Sequence, residues 1–152
     1  MKSLLIIFLL IIAAVAASCG NSQKDDITQI LDKRQQALET KDVELYMGLI
    51  SPDYNQKEDG KTIGYDQIKK SFEDITGIFD TIQISEQDTN IKIQANTAEA
   101  LRVSLIRASI EDSKSKFRVV DKIQLEKIDG NWMIVKESDA DLFSGFAFGG
   151  TK

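Results

Sequence analysis

From Thr81 onward the apolar residues switch from a helical spacing to a spacing of two, and this change dictates the architecture. Alternation over 82–93, 98–110, 117–128 and 132–138 predicts four strands. The breaks between them are short, so neighbouring strands run antiparallel, because parallel neighbours need a long crossover. Asp129-Gly130 between two alternating runs is a two-residue hairpin signal. Ile82 and Ile84 are out of phase with Ile91 and Ile93, so a bulge is expected near Glu86 to Asp88. A turn centred on Lys114 pairs Leu105 with Ile123, Val103 with Leu125 and Arg107 with Asp121 on the inner face. The same register sets Arg102 against Glu126 on the outer face. Across Asp129-Gly130, Leu125 meets Ile134 and Lys122 meets Glu137.

Three helices precede the strands. Asp25 or Asp26 is expected to cap the first, whose apolar stripe is Ile27, Ile30, Leu31, Ala37 and Leu38. Lys41-Asp42 interrupts it, and Asp42 can cap a short second helix carrying Leu45, Tyr46, Leu49 and Ile50. Ser51-Pro52 stops that helix, since a residue before proline leaves the α region. An extended piece around Tyr54 leads into a polar loop from Lys57 to Lys61. Past Gly64, the spacing of Tyr65, Ile68, Phe72, Ile75 and Phe79 defines the third helix.

Helices followed by an antiparallel meander make an α+β fold. The run Ala37 to Glu44, the segment Ile50-Ser51-Pro52-Asp53-Tyr54, Gly64 ahead of Ile68, and Leu125 to Ile134 occur in a telling order. In these features the chain resembles the nuclear transport factor 2-like superfamily, with its SnoaL-like cyclases and ketosteroid isomerase. That resemblance covers a domain over 26–140. It implies a cone-shaped curved antiparallel sheet wrapped around the three N-terminal helices, with a pocket inside.

The N-terminus supplies a second signal. One basic residue, Lys2, precedes an apolar run from Leu4 to Ala17 and then Ser18-Cys19-Gly20. These are the parts of an export signal, and the run falls short of the about 20 residues that span a bilayer. Ala16-Ala17-Ser18-Cys19 resembles the bacterial lipobox, which implies cleavage after residue 18, lipidation of Cys19 (diacylglycerol, then a palmitate-like acyl chain) and a tether over 19–25. Two or more acyl chains anchor a protein stably where one does not. Ordinary cleavage after Ala16 is the alternative, leaving Cys19 as a lone thiol. The expected location is the bacterial cell envelope, on the outer membrane facing the periplasm if the source has two membranes, because Gly20 replaces a retention aspartate.

Loss of the leader removes Lys2 and leaves 18 basic residues against 24 acidic ones, a balance of −6. The charges read as interspersed, without a basic stripe, so nucleic acid and anionic headgroups are not expected partners. Histidine is absent, which rules out Ser-His-Asp and Cys-His machinery and histidine-ligated metal sites. No phosphate loop, EF-hand pattern or paired-cysteine motif occurs. Neither a metal nor a cofactor is expected.

Chemistry then falls to carboxylates, tyrosines, lysines and arginines. Asp121, among Phe117, Val119, Ile123 and Leu125, is the one weak catalytic candidate. It is either a base raised by apolar surroundings or half of an ion pair with Arg107. Tyr54, Arg107 and Asp121 are the pocket candidates. Tyr65 is a lesser one, and Tyr46 and Trp132 are expected in the core. The tail over 141–152, with Phe143, Phe146 and Phe148, either covers a surface or is loosely ordered. Three functions stay open. The first is a non-catalytic envelope lipoprotein binding a small apolar ligand or an envelope protein. The second is a homodimer-forming assembly module that uses an outer face of Arg102, Ile106, Lys122, Val120, Met133 and Val135. The third is an isomerase- or cyclase-like enzyme using Asp121.

Overall fold

The computed structural model describes residues 22–58 and 61–138. The expectations for the leader, Cys19 and the tail over 141–152 fall outside these residues. Helix α1 covers residues 22–40. Residues 22–25 are already helical, so most of the expected tether belongs to the helix, and Asp25 and Asp26 lie inside it. Its stripe packs as the spacing predicts: Ile27, Leu31, Ala37 and Leu38 are buried. Lys41 breaks the helix with a φ of 58°, in the region that L-residues rarely enter. Asp42 then caps α2 (Val43–Met47), accepting from the Leu45 N–H at 2.9 Å.

Ile50 docks onto the edge of the last strand, where the Ile134 N–H donates to Leu49 and the Ser51 N–H to Ile134, both at 2.8 Å. The expected extended piece and polar loop form a hairpin of β1 (Asn55–Glu58) and β2 (Lys61–Gly64). The second strand has no apolar alternation to announce it. Helix α3 (Tyr65–Thr76) starts after Gly64, whose N–H donates to the Gln67 side chain at 3.1 Å. Phe72 of α3 stacks on Tyr46 of α2 at 4.3 Å between ring centres.

Strands β3 (Thr81–Gln94), β4 (Thr97–Ile110), β5 (Ser113–Ile128) and β6 (Asn131–Ser138) form one antiparallel meander in that order. The bulge between Glu86 and Asp88 is present, and it lets Ile82 and Ile84 share a face with Ile91 and Ile93. Asp129-Gly130 makes the expected hairpin, and Leu125 does meet Ile134. The α+β cone is therefore as expected, with Ile123 and Ile134 fully buried on its inner wall.

The β4–β5 register differs from the expected one. The turn is Glu111-Asp112, with Glu111 at a φ of 51°, so Ile110 pairs with Ser113 and β5 starts earlier. The pairing slips by an odd number of residues, which exchanges the faces of β4. Leu105 meets Arg118 rather than Ile123, and Val103 meets Val120 rather than Leu125. Arg107 meets Lys116, Arg102 meets Asp121, and Glu126 meets Thr97. Inside are Ala98, Ala100, Arg102, Ser104, Ile106 and Ala108, all buried. Four of these six are alanine or serine, and α1 lies close to the neighbouring strand: its Gln35 and Glu39 hydrogen-bond the Ile84 backbone of β3 at 2.9 and 2.6 Å. Arg102 and Ile106 thus leave the expected outer face, while Val120 remains on it at 45% exposure. The early start of β5 also aligns Lys114, Lys116 and Arg118 on the outer face, a basic stripe where interspersed charge is expected.

Candidate functional site

Arg34 belongs to the buried stripe of α1, one helical step beyond Leu31, and is only 5% exposed. The opposite wall supplies its partner. Between Ile134 and Lys136, β6 carries the extra residue Val135, since Leu125 pairs with Ile134 but Gln124 pairs with Lys136. This bulge re-phases the strand, so Glu137 rather than Lys136 turns inward, opposite Ile123.

The Arg34 guanidinium grips Glu137 with two bonds, Nε to Oε1 at 2.7 Å and NH2 to Oε2 at 3.2 Å. The Tyr46 hydroxyl donates to the same Oε2 at 3.0 Å. From the hairpin side, Tyr54 accepts the Glu137 N–H at 3.2 Å and donates to Gln56 Oε1 at 2.8 Å. Burial would draw Arg34 down, but the carboxylates of Glu137 and Asp121 together hold its pKa above the ordinary value. Burial and the adjacent Glu137 push the Tyr46 hydroxyl well above its usual range, so it stays a neutral donor. These groups form one wall of a cavity of about 80 Å³; Ile63, Ile68, Phe72 and Ile75 supply the apolar wall.

Of the expected pocket residues, Tyr54 lines this cavity. Asp121 is buried but sits deeper, with Oδ2 3.8 Å from Arg34, beside a void of about 10 Å³. That space is at the lower bound for a single water, so a substrate has no room beside the carboxylate. Arg107 is exposed on the outer face and does not contact Asp121. Tyr65 reaches the Met47 carbonyl at 3.4 Å, away from the cavity lining. Trp132 is buried in the core as expected. Among the described residues no cluster of His, Cys, Asp and Glu is arranged to hold a metal, and no helix is long and apolar enough to cross a membrane.

A family model described as the SnoaL-like domain matches residues 27–138. The chain belongs to the SnoaL-like family. Solved structures repeat the architecture. A nuclear transport factor 2-like superfamily protein from Salmonella enterica serovar Typhimurium is 19% identical, with a TM-score of 0.69 over 78% of this chain and 92% of that one. A candidate dehydratase of the NTF2-like family from Streptomyces avermitilis is 14% identical, with a TM-score of 0.68 over 78% and 94%. A candidate scytalone dehydratase from Novosphingobium aromaticivorans is 16% identical, with a TM-score of 0.67 over 80% and 85%. At such identities the likeness shows a common fold. No curated protein sequence matches significantly.

Within this SnoaL-like domain the polar interior centres on residues that spacing alone did not nominate. Arg34 was the legible one, since the stripe Ile27, Leu31, Leu38 passes through it. Gln56 follows Tyr54 by two and so shares its face. Glu137 depends on the Val135 bulge, which leaves no mark in the alternation.

Proposed function

We propose that this chain is an exported lipoprotein, anchored in the envelope through Cys19, whose SnoaL-like domain binds a small apolar ligand or a protein partner without transforming it. The observation that carries the non-catalytic reading is the engagement of Glu137, the carboxylate at the cavity. Both of its oxygens already accept hydrogen bonds from Arg34 or Tyr46, and the guanidinium fork fixes its orientation, whereas a general base must aim a lone pair at substrate. A cavity of about 80 Å³ is far below the roughly 300 Å³ at which ligand pockets begin. A ligand therefore enters by displacing the wall formed by α3 and the β1–β2 hairpin, which lies outside the four-stranded sheet.

The test is a thermal-shift series with small apolar compounds on the wild type and on Ile75→Phe, which fills the cavity. A compound that raises Tm in the wild type and fails in the variant is expected. No stabilisation by any compound, with capture of a partner unaffected by Ile75→Phe, removes the small-ligand arm. For the anchor, Cys19→Ala is expected to move the protein from the membrane fraction to the soluble one; an unchanged membrane fraction refutes it.

A second reading, an acid/base enzyme, draws on the two structural neighbours described as candidate dehydratases. In it Tyr46 and Glu137 face the substrate, in place of Asp121. Turnover of a dehydration substrate that disappears in a folded Glu137→Gln variant establishes this reading and overturns the first.

A further inference from the structure

The outer face of the sheet carries a feature independent of the interior. Strand spacing sends Lys114, Lys116 and Arg118 of β5 to one side, and the register places Arg107 beside Lys116 and Ser109 beside Lys114. On β3, Gln83 lies next to Arg107 and Thr81 next to Ser109. The Thr81 and Ser109 hydroxyls share a hydrogen bond of 2.7 Å. Apart from Arg118, which lies further along β5, these residues line an open groove of about 390 Å³.

Among the described residues no acidic side chain lines the groove. The acids nearest in sequence stand at its rim: Glu111 and Asp112 occupy the turn beyond Ile110, and Asp80 accepts the Glu111 N–H at 2.6 Å. Among the described residues no ion pair engages Arg107, Lys114, Lys116 or Arg118. Lys122, further along β5, does pair with Glu99 at 2.6 Å. Like charges directly opposite each other destabilise a strand pair, so Arg107 against Lys116 is an uncompensated cost in a chain of net charge −5.

We propose that this groove binds a phosphate-bearing anion from solution. A phosphomonoester brings about −1.5 to −2 charges and three acceptor oxygens, which suits converging cations and hydroxyls better than a carboxylate of one charge. A guanidinium supplies a planar fork and the ammoniums supply point charges. The groove also lies near the end of α1 remote from residue 22. Lys41, just past the end of α1, donates to the Phe79 and Asp80 carbonyls beside Thr81. At about 1.5 Å per residue, residue 22 lies about 27 Å from that end. The choice of a soluble anion over the protein's own bilayer rests on the anchor reading; the anion site itself does not.

The experiment is an NMR titration of the full chain in detergent with inorganic phosphate, against chloride at matched ionic strength. Saturable shifts confined to amides near Gln83, Arg107, Ser109 and Lys116 are expected. Affinity should fall about tenfold in Arg107→Gln/Lys116→Gln and hold in Lys92→Gln, an exposed control, with Tm lowered in neither and raised, if anything, in the double variant. Equal shifts with chloride, no saturation, or undiminished affinity in the double variant overturn the proposal. Patch-dependent capture by phosphatidylglycerol vesicles without any phosphate response also overturns it, assigning the face to a bilayer. The Cys19→Ala fractionation reports separately on the anchor.

Discussion

Arg34 and Arg102 are equally buried, at 5% exposure each, and both reach into the space between α1 and the sheet. Their partners differ. Arg34 holds Glu137 and faces Asp121, whose side chains are 9% and 6% exposed. Arg102 holds Asp32 at 3.0 Å, 60% exposed, and Glu86, 40% exposed, with Gln35 at 3.1 Å. One arginine neutralises charge that water cannot reach; the other carries a buried stem out to acids that water already solvates. The same residue type thus performs two tasks: holding the cavity wall together, and closing the seam between α1 and the β3 bulge.

Breaking the first cluster should have the largest effect. Arg34→Met leaves two buried carboxylates without their cation, and a loss of about 3–5 kcal/mol in urea unfolding is expected. Adding Glu137→Gln should recover part of that loss, because the uncompensated charge is reduced. Arg102→Met should cost less, about 1–2 kcal/mol, since its exposed acids return to water. Raising the salt concentration should weaken the wild-type advantage over Arg102→Met but not that over Arg34→Met. Equal losses in the two variants would show that partner burial does not set the cost.

Two pH effects sharpen the contrast. The pKa of Tyr46 is raised in the fold, so its contribution is complete below its ordinary value of 10.0 and is lost as pH climbs through the raised one. Tyr46→Phe should therefore decline less than the wild type on the alkaline side, at a neutral-pH cost of about 1 kcal/mol for the missing hydrogen bond. Glu86 is held below its ordinary 4.5 by the Thr89 hydroxyl and by Arg102, with its slight burial opposing. Its contribution is present above that ordinary value and is lost as pH falls through the lowered one. Being largely exposed, Glu86→Gln should change acid unfolding least, within about 0.5 kcal/mol.

Sequence spacing carried the three helices, the four long strands, the β3 bulge and the Asp129-Gly130 hairpin, because each is written in local periodicity or turn chemistry. It misplaced the β4–β5 register because the inner face of β4 is alanine and serine apart from Arg102 and Ile106, while its outer face holds Leu101, Val103 and Leu105. Apolarity points the wrong way where the buried face of a strand is mostly small side chains and its outer face is larger and more apolar. Arg107 consequently left the pocket for the surface, and Asp121 kept its face but gained Arg34 as a neighbour. Tyr54 was nominated by the family resemblance and not by its neighbours Asp53 and Asn55, which are polar; Glu137 was not nominated, because a bulge is a property of pairing between strands.

That extra residue in β6 also guards the assembly of the sheet. Run straight on from Ile134, the strand would swing Lys136 toward Arg34 and send Glu137 to solvent, setting ammonium against guanidinium where no water can part them. A chain that zips up one step out of phase is therefore pushed apart by its own cations, and the correct alignment is proofread by charge as well as by oil.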